Sequence, residues 1–361
     1  MKILIVGAGL FGSVLARELV NKRYVCNVID RRNHLGGNCY TENIKEINVH
    51  KYGPHIFHTS NKFVWDYLLK YTTVNHFSCR PKLKFENKIY SFPINLMTLN
   101  QLWGITTPEE AKNKIEEVTK EYKKLNYSNA EEYALGNVGK EIYEIFYKDY
   151  LIKQWNKDPK EIPAEIMMRQ VIRLDYNDSY YYDTYQGIPD YTRLFNSLLN
   201  NIPLILNVDY LSDREYFDCK YDKIIYTGAI DEFFNYEFGP LEYRSLRFEE
   251  EVLSIRDYQG VFMVSYPEKK YKFTRIIEHK HFEFGQQDFT VITKEYPQDW
   301  KIGMPAYYPV NDDKNQSIYD QYKQYNTNKK YIFGGRLGSY KYLNMDQTIE
   351  RALELTKNIC K

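Results

Sequence analysis

The chain has 361 residues, enough for two or three hydrophobic cores, and its 49 Lys and Arg against 48 Asp and Glu leave a formal charge of +1. That balance offers no basic face to nucleic acid or to an anionic membrane, and no apolar run reaches the roughly eighteen residues of a spanning helix. The five cysteines (Cys26, Cys39, Cys79, Cys219 and Cys360) are scattered without CxxC or zinc spacing, so buried thiols are expected rather than a disulfide framework. The opening MKILIVGAGLFG lacks a basic leader and a small-residue cleavage pattern, so it reads as folded structure of a cytoplasmic protein.

Lys2 to Gly9 reads as a short buried strand running into glycines, followed by helical periodicity from Leu10 to Asn21 and a second strand, Val25 to Asp30. Gly7, Gly9 and Gly12 complete GxGxxG: the first for a tight turn, the second for close approach of a pyrophosphate, the third for helix–strand packing. Asp30 ends the second strand, where an acid accepts hydrogen bonds from a ribose. The next stretch, RRNHLGGN (Arg31 to Asn38), adds Gly36 and Gly37 and suits a longer cofactor of the flavin type.

Residues 62–71 read as a helix, and KFENKIYSFPINL (84–96) as paired strands. From Thr107 the pattern is helical, with Pro108 and early acids at the first start and Ser128 with Glu131 as a capping box at the second. Residues 171–195 read as extended and tyrosine-rich. Ile202–Tyr210 and Lys220–Phe234 return to α/β character, and residues 242–296 alternate at strand period, which implies a mostly antiparallel sheet. The end is strand, Gly-Gly turn, loop and helix, with Asn344 or Asp346 as cap. The expected class is α/β: a discontinuous dinucleotide-binding domain (1–75, 200–240, 318–361), a helical insert (97–170) and an antiparallel sheet domain (76–96, 171–199, 241–317).

His55 and His58, in YGPHIFHT, could be metal ligands, acid–base groups, cofactor contacts or satisfied loop histidines. A third ligand and any HExxH are missing from the sequence, and His279 with His281 reads as one face of a strand, so no metal is expected. Neither GxSxG nor a catalytic cysteine context is present. Arginines remain: Arg169, Arg173, Arg244, Arg247, Arg275 and Arg336, whose forked donors match phosphate oxygens where two or more converge. The 36 tyrosines suit pockets that stack on rings and bond hydroxyls or phosphates, although compositional bias and ordinary packing account for many of them.

In this order, RNHLGGN (32–38), YGPHIFHT (52–59), KQWNKDPKEIPA (153–164), YQGIP (185–189), TGAIDEFF (227–234), EYRSLRFE (242–249), TRIIEHKHF (274–282), YYPVND (307–312) and GGRLGSYKY (334–342) resemble the prokaryotic-type UDP-galactopyranose mutases over nearly the whole chain. The resemblance implies a homodimer that carries FAD and interconverts UDP-galactopyranose and UDP-galactofuranose for cell-surface glycans. Catalysis in that family is taken to run through attack of reduced flavin N5 on the anomeric carbon, so an external reductant is implied and no protein nucleophile is needed. It further implies a Rossmann-like FAD domain with an inserted helical domain and an inserted twisted antiparallel sheet.

By the same resemblance, Arg169 and Arg275 clamp the diphosphate, Tyr180, Tyr308 and Tyr342 surround phosphates and sugar, and Phe146, Tyr147, Tyr150 and Trp155 form the uridine side. Arg336 lies against flavin and sugar, Arg247 in the cleft, and His58 near the reactive end of the flavin. Gly7, Gly9, Gly12, Asp30, Arg31, Gly36, Gly37, Asn38, Gly53, His55, Ile56, Val208, Gly228, Gly335, Arg336 and Met345 are the implied cofactor contacts. The chain departs from the family pattern where Leu343-Asn344 replaces the usual Tyr-Asp, where Leu151 replaces Thr, in SFPINLM (91–97), and in GMPAYYPV, which lacks the customary acid before proline. Those changes fall on sugar and uridine surfaces and leave a 6-deoxy or N-acetylated nucleotide-hexose as the alternative substrate. His58 itself stands where relatives that accept N-acetylated sugar have arginine, and so favours plain UDP-galactose. Another FAD-dependent oxidoreductase, of amine-oxidase or desaturase type, would share the cofactor half but lack the arginine pairs, and a non-catalytic flavin scaffold would keep the glycines but need not keep Arg169 with Arg275.

Overall fold

The computed structural model describes residues 1–168, 172–182 and 184–360. Ile3, Leu4 and Ile5 are fully buried in the strand Lys2–Val6, as a parallel strand covered on both faces requires. The helix Leu10–Asn21 and the strand Val25–Asp30 occupy the spans read from the sequence. Five parallel strands form this sheet, in the order Tyr331–Phe333, Lys223–Tyr226, Lys2–Val6, Val25–Asp30, Leu204–Leu206. The closing helix, Met345–Ile359, packs beside Leu10–Asn21. Apart from Lys2–Val6 and Val25–Asp30, neighbouring strands of this sheet come from distant parts of the chain, so the glycine turn after Val6 and the Gly334-Gly335 turn after Phe333 meet at the carboxyl ends of the strands, where such sheets bind ligands.

The second sheet has seven strands in the order Tyr308–Pro309, Tyr243–Leu253, Thr290–Asp299, Arg275–Glu278, Met263–Ser265, Lys82–Phe85, Lys88–Ser91. Every neighbouring pair is antiparallel except Met263–Ser265 with Lys82–Phe85. Helices Leu96–Trp103, Pro108–Thr119, Ala130–Ile142 and Asp149–Trp155 share a separate core around Leu99, Ala111, Ala134 and Ile142. Thr107 caps its helix as expected: Glu110 N–H donates to Thr107 Oγ1 (3.3 Å) and Thr107 N–H to the Glu110 carboxylate (3.0 Å), with Pro108 in the first turn. Gly139 (φ 78°) kinks the next helix, and a π-turn over Tyr143–Lys148 leads into Asp149–Trp155. Such turns are frequent at functional sites, because they re-aim the side chains that follow.

Four sequence-based expectations need correction. The cap of Ala130–Ile142 is Asn129, whose side chain accepts Glu132 N–H at 2.9 Å; Ser128 instead donates its own N–H to Glu132, so the cap lies one residue later than read. The stretch 171–195 is not all extended: Asp190 accepts Arg193 N–H and starts the helix Tyr191–Leu198, whose buried Tyr191, Leu194, Phe195 and Leu198 follow the helical period. A short helix, Arg214–Lys220, lies between two strands where none was anticipated. His279 and His281 leave the strand at Glu278 and occupy a 3-10 turn, which sends them to different partners.

An ideal Cβ at Gly12 would overlap the carbonyl oxygen of Gly7, and that backbone is pinned by Gly7 N–H to Ile29 O (2.8 Å). Gly12→Ala is therefore expected to cost about 3 kcal/mol through overpacking. Urea unfolding measures this, and an unchanged midpoint would refute the close packing.

Candidate active site

Two glycine loops face each other at the end of the parallel sheet. Gly9 and Gly36 form a bridge, Gly36 N–H donates to Ala8 O (3.0 Å), and a Cβ on Gly37 would stand 2.9 Å from Gly9 Cα. Gly36 (φ 90°) and Gly37 (φ 56°) hold left-handed conformations that suit glycine. Asp30 links the loops: its carboxylate accepts Ala8 N–H (2.7 Å) and Arg32 N–H (2.8 Å). A cavity opens here, lined by Gly9, Phe11, Gly12 and Gly36, by Arg32 and Asn38, by His55, and by Gly335, Arg336 and Met345.

Arg32, not Arg31, enters this cavity. Arg32 Nη2 donates to Asn38 Oδ1 (3.0 Å), its guanidinium stacks over Tyr52 (4.6 Å), and its Nη1 is buried without a partner among the described residues. Arg31 points outward to Glu232 (3.3 Å), because alternate residues leaving a strand diverge. Val208 packs against the core on the far side of Ile29 and donates its N–H to Asp30 O (3.0 Å), while Ile56 is core; neither is among the residues lining the cavity. Gly228 lies just past the strand Lys223–Tyr226, where a Cβ would meet the Tyr226 hydroxyl at 2.6 Å.

The second half of the site is a buried ion pair ringed by tyrosines. Arg275 Nη2 meets Glu295 Oε2 at 2.7 Å across adjacent strands; Nη1 has the Met263 thioether (3.6 Å), and Nε is buried without a partner among the described residues. Burial opposes the charge on Arg275, but Glu295 outweighs it and holds the guanidinium further above its ordinary range. Arg336 donates to the carbonyls of Tyr307 (3.1 Å) and Leu343 (2.7 Å) and lies over the rings of Tyr308 (5.3 Å) and Tyr342 (5.1 Å), which stack on each other. Burial pushes the Tyr150 hydroxyl up to about 12 and raises Tyr308 as well, and both are close enough to Arg275 to feel its charge. Phe146 and Tyr147 are buried behind them in the π-turn, with Tyr147 near Tyr180, and Trp155 packs on the helical core.

Two expected positions differ. Arg247 pairs across the sheet with Tyr296, the neighbour of Glu295, so strand alternation turns it to the face opposite Arg275; there it bonds Glu249 and lies over Tyr296 (3.9 Å). His58 stacks on Tyr181 (ring centroids 3.6 Å apart) and is not among the residues lining the cavity, whereas His55 is. Arg169 lies outside the described residues. Of the other arginines, Arg173 bonds the carbonyls of Ser179 and Tyr180, and Arg244 bonds Asp299 (2.5 Å) and Gln154 O (2.6 Å), so both hold backbone.

His55 is held from three sides. Its N–H donates to His50 Nδ1 (3.0 Å), its carbonyl accepts Tyr191 O–H (2.8 Å), and its own Nδ1 lies 2.8 Å from Gly53 O. His50 N–H in turn donates to His279 Nδ1 (3.2 Å), whose Nε2 lies 2.7 Å from Thr293 Oγ1. Burial lowers all three, His55 to about 4 and His279 to about 3. Asp257, Glu278 and His281 bring ligand-type atoms within 4.8 Å. Glu278 there already accepts the Tyr258 and Gln259 N–H groups (2.9 Å each) and the Thr290 hydroxyl (2.7 Å). Burial disfavours the His281 cation, but Glu278 and Asp257, each 3.4 Å from its Nε2, outweigh burial and raise its pKa.

Residues 145–342 match the family model described as GLF: UDP-galactopyranose mutase, and residues 5–71 match an NAD(P)-binding Rossmann-like domain. The chain belongs to the UDP-galactopyranose mutase family. Among curated relatives it is 40% identical to the dTDP-fucopyranose mutase of Escherichia coli, over 98% of this chain and 97% of that one. It is 38% identical to a probable UDP-galactopyranose mutase of Klebsiella pneumoniae, over 98% and 93%. A crystal structure of reduced UDP-galactopyranose mutase shares the fold at TM-score 0.75 and 14% identity, covering 99% of this chain and 95% of that one. The mutase-family fold is thus a Rossmann-like nucleotide-binding domain with inserted helical and β-sheet regions. Among the described residues, no helix is long and apolar enough to cross a membrane.

The depressed histidines fix a pH response for this mutase-family chain. Each is neutral when folded and takes a proton near pH 6.5 when unfolded, so the unfolded state binds more protons below that value. Stability is then full above about pH 6.5 and falls by up to about 1.4 kcal/mol per pH unit for each group as the pH drops toward their folded values. Urea midpoints at pH 7 and pH 5 are expected to show this loss. His55→Gln should reduce the slope; an unaltered slope would refute a buried neutral His55.

Proposed function

We propose that the chain is an FAD-dependent mutase that interconverts the pyranose and furanose forms of a nucleotide-linked hexose. The observation that carries the reading is the pairing of a glycine cradle for a dinucleotide with the Arg275, Arg336 and tyrosine cluster beside it. The residues fit a flavin dinucleotide: a Cβ on Gly37 would press on Gly9, which lines the cradle, and the Arg32 Nη1, without a partner among the described residues, would take an anion that a pyrophosphate supplies. Gly7, Gly9, Gly12, Asn38, Gly335 and Met345 complete that cradle, with Arg32 taking the part expected of Arg31. When bound and reduced, the flavin supplies a nucleophile for the anomeric carbon, so the isomerisation is redox-neutral and needs only an external reductant to prime it.

The protein's own part is binding, orientation and charge. Arg275 keeps donors beyond its bond to Glu295, suited to a diphosphate leaving group, with Arg169 as its expected partner. Tyr150 and Tyr308, both raised, stay protonated at neutral pH and donate to phosphate or sugar oxygens, while Tyr180 and Tyr342 flank them. His55 remains neutral beside Arg336 and Arg275, and so adds no third positive charge. Phe146, Tyr147 and Trp155 back the nucleobase side.

For the sugar, a 6-deoxyhexose on dTDP is the reading favoured by the Escherichia coli relative, named as a dTDP-fucopyranose mutase. UDP-galactose is the second reading, favoured by the Klebsiella pneumoniae relative and by His58. A panel of UDP- and dTDP-linked hexopyranoses incubated with dithionite-reduced enzyme, with products separated by chromatography, is expected to give a furanose product from the 6-deoxy substrate at the highest kcat/KM. A faster UDP-galactose reaction selects the second reading; equal rates with oxidised flavin, or no furanose at all, overturns the mutase. For the cofactor, Arg32→Met should weaken flavin binding by about tenfold or more, as loss of a charge-assisted hydrogen bond implies, and Arg31→Met by less than about twofold. Fluorescence titration of apoprotein with FAD measures both, and the reverse order would refute the assignment.

A further inference from the structure

Lys153 is a half-buried cation that neither lines the cavity nor joins the ion pair. It lies on the helix Asp149–Trp155, one turn beyond Tyr150. Its Nζ is surrounded by four backbone carbonyls, those of Tyr266 (2.5 Å), Phe273 (2.8 Å), Tyr271 (3.2 Å) and Glu268 (3.3 Å). An ammonium has donors only, so such a cage holds it and has no place for the lone pair of an amine. All four carbonyls come from one segment, 266–273, which runs through Thr274 directly into Arg275. Thr274 continues the path by donating its N–H to Glu295 O at 2.9 Å.

The charged groups around Lys153 are Asp149 on its own helix and Glu268 on the segment. Asp149 is engaged with Lys269 (3.5 Å) and Glu268 with Lys270 (2.7 Å), so carbonyls rather than a carboxylate hold the ammonium. The segment is stiffened by its own rings, Tyr266, Tyr271 and Phe273, with centroids 5.0 to 5.4 Å apart. Tyr150 and Arg275 therefore lie at the two ends of one short mechanical path: helix turn, ammonium, carbonyl cage, strand.

We propose that Lys153 is a positioning residue that fixes Tyr150 relative to Arg275, and thereby sets the grip of the cleft on the diphosphate and sugar of the substrate. This inference rests on the function proposed above. Burial pulls the ammonium down to about 8, so the cage loosens as the pH rises through that value. Misplacement of about 1 Å at a binding group is enough to lose up to a hundredfold in rate, so a tenfold effect is a modest expectation.

The test compares holoenzyme of wild type, Lys153→Met and Lys153→Arg, using the nucleotide-hexose that wild type turns over best. Lys153→Met is expected to keep its flavin spectrum, to raise KM on the order of tenfold with a smaller change in kcat, and to lose the rise in KM that wild type shows between about pH 7 and 9. Lys153→Arg, cationic throughout that range, should recover part of the affinity without the pH dependence. Hydrogen–deuterium exchange at residues 266–274 should quicken in Lys153→Met. An unchanged KM with only a lower melting temperature would overturn the proposal and leave the cage a structural tie. If Lys153→Met does not fold, an unchanged KM in Lys153→Gln together with unchanged exchange at residues 266–274 overturns it equally. A wild type that turns over no nucleotide-hexose defeats the function while the exchange data still decide whether Lys153 holds the segment.

Discussion

A carboxylate buried in a sheet needs a cation or several N–H and O–H donors beside it, and the pairing of Glu295 with Arg275 is the constraint on which the site depends. Glu295 is 4% exposed, so loss of its partner would leave an uncompensated charge, a change that typically costs about 3–5 kcal/mol. The pair also reaches beyond its sheet. A Cβ on Gly53 would stand 3.4 Å from Glu295 Oε2, so the turn that carries His55 rests on the carboxylate. Around the pair stand Tyr150 from the helices and Tyr308 from the edge strand, both within electrostatic reach of Arg275. One ion pair thus gives the parallel-sheet domain, the antiparallel sheet and the helices a common reference point.

Cations in carbonyl cages serve the same end elsewhere. Lys280 donates to the carbonyls of Arg256 (2.7 Å), Gln287 (2.5 Å) and Phe289 (3.1 Å), closing the turn after His279. Arg244 caps the end of the helix Asp149–Trp155 through Gln154 O, and Asn156 reaches Asp299 (3.1 Å) just beyond it. Irregular backbone in this molecule is satisfied by long basic side chains from neighbouring elements, which joins segments that no strand pairing connects.

What the sequence revealed follows from how local each signal was. Leu10–Asn21 and Val25–Asp30 were legible because glycine spacing, apolar period and a terminal acid agree within thirty residues. Family membership was legible because many motifs occur in the same order. The exchange of Arg31 for Arg32 was not: a run of two arginines past a strand end gives no hint of which one the next turn directs inward, although alternation from Asp30 would have favoured the second. Arg247 was misplaced because its face depends on register with Tyr296, and register is a property of two strands. Glu295 went unremarked inside VITKEYP because an acid in an exposed alternating strand looks the same until Arg275 is placed opposite it. Lys153 opens the KQWNKDPKEIPA motif, but its carbonyl cage had no sequence signal, since its partners are backbone atoms more than a hundred residues away.

The parallel sheet takes its strands from residues 2–30, 204–226 and 331–333, and the helix Met345–Ile359 then covers Leu10–Asn21. During synthesis the first strands therefore emerge long before their neighbours exist, and Lys2–Val6 lacks one of its flanking strands until Lys223–Tyr226 has left the ribosome. The helices of residues 96–155, whose contacts are mostly local, are free to form earlier. The nucleotide cradle is in this sense the last part of the protein to exist, assembled when the final helix arrives to close around a core already supported by its own insertions.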